Sequence, residues 1–92
     1  MTIRDDPARG RFEAVVGEDV AFVAYRAQGG TITFTHTEVP GRLRGRGVGE
    51  ALARAALDSA RARGLRVEPL CPFVAAFIRR HREYQDLVEE DG

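Results

Sequence analysis

Several reactive side chains crowd one stretch of this sequence. His36 and Glu38 stand two residues apart, just before Pro40-Gly41-Arg42-Leu43-Arg44-Gly45-Arg46-Gly47-Val48-Gly49, where glycines and arginines interleave. A carboxylate or an imidazole can take a proton from an ammonium group, and the imidazole does so near neutral pH. Cys71 adds a thiol and is followed at once by Pro72. Proline is tolerated at the first position of a helix, so Cys71 reads as a helix N-terminus. A thiolate there is stabilised and could accept an acyl group or protonate a departing thiolate. The competing readings are a strand-end glutamate paired with Arg42 or Arg44, a structural histidine, and a buried cysteine that only fills space.

The glycine-arginine stretch suits a different task. The first turn of a helix leaves backbone N–H groups unbonded and carries the positive end of the helix dipole. Glycines let a phosphate reach those groups, and arginines add charge and forked donors. The pattern describes a pyrophosphate cradle. It is not a Walker A motif, because no Gly-Lys-Ser/Thr follows, and Gly45-x-Gly47-x-Gly49 has the wrong spacing for a dinucleotide fingerprint.

These residues need a frame. Residues 1–10 are polar and hold Pro7 and Gly10, which reads as a lead-in with little structure. Arg11 to Val16 alternates, with Phe12, Ala14 and Val16 on one face. After the turn at Gly17-Glu18-Asp19, Val20 to Arg26 is apolar on both faces, as a central strand would be. Gln28-Gly29-Gly30 turns the chain into Thr31 to Val39. Strict alternation there puts Ile32, Phe34, His36 and Glu38 on one face and Thr31, Thr33, Thr35 and Thr37 on the other.

Val48 to Arg63 reads as an alanine-rich helix with a Glu50–Arg54 pair, Arg61 and Arg63 in its last turn, and Gly64 as its C-cap. Leu65 to Leu70 is a short fourth strand, reached by a right-handed parallel crossover. In the second helix Phe73, Val74, Phe77, Ile78 and His81 form an apolar stripe, and Tyr84 to Val88 packs back on the sheet. The expected fold is α+β, in the order β-β-β-α-β-α: a three-stranded antiparallel meander plus a parallel fourth strand, with helices packed on the sheet. Ligands sit beyond the carboxyl ends of parallel strands, where Glu38, the loop and Cys71 should converge.

Composition narrows the functional classes. Ninety-two residues, 43% hydrophobic and 30% charged, make one globular domain, with 89–92 as an acidic tail. Fourteen basic and fourteen acidic residues cancel, so nothing draws the chain to nucleic acid or an anionic membrane, although six arginines (42, 44, 46, 61, 63 and 66) invite the comparison. The N-terminus lacks the apolar core of a secretory signal, and one cysteine cannot form an internal disulfide. The expectation is a cytoplasmic protein. One cysteine and two distant histidines form no recognised metal-ligand set.

Arg44-x-x-Gly47-x-Gly49 resembles the Arg/Gln-x-x-Gly-x-Gly/Ala signature of the GNAT superfamily of acyl-CoA N-acyltransferases. Thr35-His36-Thr37-Glu38-Val39-Pro40, the loop itself, Pro69-Leu70-Cys71 and His81-x-Glu83-Tyr84 together resemble its smallest members, from Arg11 to Val88. The resemblance implies an acetyl-CoA-dependent N-acetyltransferase acting on an amine. The alternative is an acyl-CoA-binding module with little catalysis. It implies that Leu43, Arg44, Gly45, Arg46, Gly47, Val48 and Gly49 hold coenzyme A, with Val39 polarising the thioester carbonyl. Glu38, His36 and Cys71 are the implied catalytic groups. The chain departs from its small relatives at Phe77, near which a tyrosine is expected, and at Arg82, where a proline is expected. The helices that shape the acceptor site in larger members have no room here, which leaves a homodimer or a protein partner to complete it.

Overall fold

The computed structural model describes residues 1–88, so the tail expected at 89–92 lies outside the described residues. Five strands form one mixed sheet in chain order: β1 (Thr2–Asp6), β2 (Arg11–Val16), β3 (Asp19–Gln28), β4 (Thr31–Glu38) and β5 (Arg66–Pro69). The first four are antiparallel, and β4 and β5 are parallel. The helices are α1 (Val48–Ala62) and α2 (Pro72–Arg80), with 3-10 segments at Gly41–Leu43 and Arg82–Leu87. No described helix is long and apolar enough to cross a membrane.

The lead-in expectation is corrected: residues 2–6 are an edge strand paired with β2, from Thr2 opposite Val15 to Asp6 opposite Arg11. Only Ile3 is apolar there, so no hydrophobic alternation announces the strand. Charged side chains suit such an edge, because they discourage another chain from pairing with it.

The core lies between one sheet face and both helices. Phe12, Ala14, Ala21, Val23, Ile32, Phe34 and Val67 meet Leu52, Ala53, Ala56, Leu57 and Ala60 of α1 and Val74, Phe77 and Ile78 of α2. The alanines keep α1 close to the sheet. Burial of a side chain such as Phe34 or Phe77 stabilises by roughly 1.5–3 kcal/mol. The helices also pack on each other, and among the described residues no helix covers the opposite sheet face.

A second correction bears on function. Ala24 pairs with His36 and Tyr25 with Phe34, leaving Thr35 as an extra residue in β4. This bulge resets the alternation. Thr37, opposite core residue Val23, takes the helix side, while His36 and Glu38 turn to the open face beside Ala24 and Phe22. The expected placement of His36 and Glu38 beside Ile32 and Phe34 is therefore overturned.

Arg54 is not tied to Glu50 as the helical spacing suggested. It lies 3.6 Å from Glu83, and its Nη1 donates to the Tyr84 hydroxyl at 3.2 Å. That hydroxyl in turn donates to Asp58 at 2.6 Å, so the last 3-10 segment is fastened to α1. Val88 then bridges to Val67 on β5.

The open face carries one enclosed acid. The Glu13 side chain is only 2% exposed, beneath Arg4 at 3.1 Å, Arg9 at 3.6 Å and Arg11 at 2.9 Å. The Arg11 hydrogen bond holds its carboxyl below the ordinary value of 4.5, with burial opposing and Arg4 assisting. Arg61 likewise lowers Asp86 below its ordinary 3.8. Both carboxylates give up protons more readily folded than unfolded. The stability they contribute is complete above pH 4.5 and is lost as pH falls through the lowered folded values. Thermal melts should show Tm falling from pH 5 toward pH 3. Glu13→Gln should lower Tm at pH 7 and reduce that acid-induced fall, and an unchanged fall would remove Glu13 from the account.

Candidate active site

The chain between β4 and α1 is shaped by backbone geometry that only glycine holds comfortably. Gly45 and Gly47 both have φ of +76°, a left-handed conformation that strains L side chains. Gly47 is the N-cap of α1, and the first helical bond runs from the Ala51 N–H to its carbonyl at 3.0 Å. The N–H groups of Val48, Gly49 and Glu50 therefore have no partner within the helix. Buried Leu43 anchors the loop, while Arg44 and Arg46 are exposed.

Gly49 serves a different purpose. A Cβ there would lie 2.7 Å from Phe73 Cζ, so its absence seats the Phe73 ring of α2 against α1. Gly49→Ala would gain up to about 1 kcal/mol in helix propensity but add overpacking of roughly 1–3 kcal/mol. Gly49→Ala alone should lower Tm. In a Phe73→Leu background the same change should raise it. A fall in both backgrounds would show that the ring is not what requires glycine.

A cleft of about 320 Å³ lies along this loop, lined by Thr37, Val39, Leu43, Arg44, Gly45, Gly47, Val48, Gly49, Glu50 and Phe73. It exists because β5 leaves β4 early. The last register pair is Phe34 with Pro69, after which the Cys71 N–H donates to the Phe34 carbonyl at 2.9 Å and the chain turns into α2. From Thr35 to Glu38 the edge of β4 facing α2 has no strand partner among the described residues.

On the open face a second hollow is lined by Val20, Phe22, His36, Thr37, Glu38, Val39, Pro40, Gly41 and Arg44. His36 Nε2 lies 3.3 Å from Glu38 Oε2, and the two side chains are 61% and 62% exposed. The His36 ring meets Phe22 edge-on at 6.1 Å. The partly apolar surroundings expected for Glu38 are thus limited to Val20, Phe22 and Val39, and the carboxylate reaches solvent. The two hollows share Thr37, Val39 and Arg44. An arm lying in the first can present its end to a group lying in the second.

Of the residues singled out from sequence, Val39, Leu43, Arg44, Gly45, Gly47, Val48 and Gly49 line the cleft, and Arg46 stands outside its lining. Arg44 Nε also donates to the Val39 carbonyl at 3.3 Å, fixing the loop to the end of β4. Cys71 is corrected. It is the N-cap of α2 as expected, but it is 2% exposed, shares a hydrogen bond with Thr37 at 3.1 Å and lines neither hollow. The buried-filler reading fits this placement. The Tyr84 hydroxyl is held by Asp58 and Arg54, and Tyr84 lines neither hollow.

Thr37, Glu50 and Phe73 were not expected in the cleft. Phe73 packs on the core as its place in the apolar stripe predicts, and its reach into the cleft follows from the Gly49 contact, which no local sequence signal marks. Glu50 puts a carboxylate in the first turn of α1, so an anion bound there must lie toward Arg44 and Gly47.

The sequence profile of GCN5-related N-acetyl-transferases matches residues 11–87. Protein NATD1 of Bos taurus is 38% identical over 64 residues, 68% of this chain and 57% of its own length. The match thus spans little more than half of that relative. The solution structure of a GCN5-like candidate N-acetyltransferase from Staphylococcus aureus superposes with a TM-score of 0.76 at 26% identity, covering 99% of this chain and 90% of that one.

Proposed function

Since the chain belongs to the GCN5-related N-acetyltransferase family, we propose that it transfers an acetyl group from acetyl-CoA to an amine. The observation that carries this reading is the meeting of cleft and hollow at Thr37 and Val39. In this reading the pyrophosphate lies on the free N–H groups at the start of α1, with Arg44 beside it. The pantetheine arm follows the unpaired edge of β4, and the thioester reaches Val39. Backbone N–H groups there polarise the thioester carbonyl.

The amine occupies the second hollow. An ammonium group must lose a proton before its nitrogen lone pair can attack, and Glu38, with His36 at 3.3 Å, is placed to take it. The nitrogen then bonds to the acetyl carbon and releases its second proton to solvent, the carbon–sulfur bond breaks, and coenzyme A departs as a thiolate. Among the described residues no tyrosine lines either hollow, so in this reading solvent or the protonated Glu38–His36 pair returns a proton to the sulfur.

The direct test is calorimetric titration of acetyl-CoA, followed by thiol release with a panel of amines. Micromolar-range binding with amine-dependent release supports the reading. Binding without transfer to any amine would reduce the chain to a binding module, and no heat at millimolar ligand would remove coenzyme A altogether.

A further inference from the structure

The open sheet face holds more than the Glu38–His36 pair. Register aligns two rows across the strands: Arg4, Glu13, Phe22 and Glu38 in one, Asp6, Arg11, Ala24 and His36 in the other. Phe22 stands between the enclosed Glu13 and the exposed Glu38. Ala24 leaves a low floor between Arg11 and His36.

Arg11 is prepared in a way its neighbours are not. Its Nε donates to Glu13 at 2.9 Å, and its Cζ lies 4.5 Å from the Phe22 ring centre. Both terminal Nη groups have no partner among the described residues. Its side chain is 27% exposed, against 59% for Arg4 and 63% for Arg9, which are engaged by Glu13 and Asp6. A guanidinium fixed by a carboxylate and an aromatic face loses little freedom when it binds an anion, and its outer fork matches carboxylate or phosphate oxygens.

Arg11 and His36 flank the same ring, so the guanidinium carbon lies within about 11 Å of the centre of the His36 ring. An amine held at His36 and Glu38, with its chain over Phe22, would bring a group a few bonds away to Arg11. The lining of the hollow offers Glu38 as its only carboxylate, alongside Arg44. Arg11 lies outside that lining, across Phe22, and the acids beside it, Asp6 and Glu13, are already paired with Arg9 and with Arg4, Arg9 and Arg11, so its outer fork is what the far end of an acceptor would meet.

We propose that Arg11 forms an anion subsite on the open face, and that the acceptor is a small amine that also carries a carboxylate or phosphate a few bonds from its nitrogen. This rests on the reading of the second hollow as the acceptor site. In that arrangement Arg11 sets which amine is taken rather than how fast the proton leaves.

Matched pairs test it: γ-aminobutyrate against butylamine, β-alanine against propylamine, and phosphoethanolamine against ethylamine, with spermidine as the polycation. In the wild type the anionic member should have a kcat/KM higher by roughly ten- to hundredfold, the range of a hydrogen bond to a charged group. Whichever pair shows the larger ratio separates carboxylate from phosphate. Arg11→Gln, which leaves Arg4 and Arg9 on Glu13, should collapse the ratio through KM. Equal use of both members by the wild type, preference for spermidine, or an equal loss on both members in Arg11→Gln would overturn the proposal.

A second measurement needs neither turnover nor a variant. The Arg11 Nε resonance of the wild-type protein should move on titration with γ-aminobutyrate or phosphoethanolamine and stay still with butylamine or ethylamine, which lack the anionic group. Movement without acetyl transfer to any amine would sink the transferase reading and leave the subsite. Transfer with a stationary Arg11 resonance would do the reverse.

Discussion

Gly47→Glu should weaken acetyl-CoA binding by about a hundredfold or more, with the largest effect of any single substitution in the loop. Two costs act together. At φ +76° a side chain pays roughly 1–2 kcal/mol in backbone strain. The new carboxylate would also stand where a pyrophosphate is expected, and two like charges a few ångströms apart at a protein surface repel by a few kcal/mol. The strain falls on the fold as well, although an acid at a helix N-terminus regains part of it. Gly47→Asn separates the two costs, because asparagine tolerates the left-handed region and adds no charge. Calorimetry should find Asn nearer to wild type than Glu. Equal losses for the two would mean that loop shape alone, without phosphate contact, governs binding.

Glu38→Gln should lower kcat for amine acetylation by roughly 10²–10⁴-fold, the usual contribution of a positioned base, while acetyl-CoA affinity holds within about twofold. Glutamine keeps the size and polarity of the side chain and removes its capacity to take a proton. The deficit should narrow as pH rises toward the pKa of the amine, since an acceptor arriving unprotonated needs no base. His36→Gln should cost less, because it leaves the carboxylate in place. A pH-independent loss in Glu38→Gln would assign Glu38 to acceptor binding instead. A larger loss in His36→Gln would make the imidazole the base, with Glu38 orienting it through the 3.3 Å contact.

The parts of this molecule governed by local rules were legible from sequence. Alternation in β2 and the turn glycines announced the meander, and the alanine run announced α1. The glycine-arginine loop was readable as the connection between a strand and a helix, because alternation stops before it and the alanine run starts after it. What stayed hidden depended on residues far apart in sequence. β1 has a single apolar residue, and only pairing with β2 makes it a strand. The bulge at Thr35 adds one residue to a stretch in which threonine recurs at every second position, so composition carries no trace of the reset. Glu13 looks like an ordinary outward-facing strand residue until Arg4, Arg9 and Arg11 close over it. Cys71 has the local position expected of it, but its contact with Thr37, 34 residues earlier, could not be read from its neighbours.

The early parting of β4 and β5 also has a consequence for how the chain assembles. The hairpins joining β1 to β4 close over short turns, whereas Thr33 and Glu68, which hydrogen-bond across the parallel pair, are separated by 35 residues. Contacts across such a span form late, because loop closure must be met before they reward the chain. The cleft lies on that seam, with one wall in the early meander and loop and the other on α2. A nascent chain therefore lacks the Phe73 wall of the cleft until α2 docks. Any ligand held there would tie the late half of the protein to the early half and so favour the completed fold.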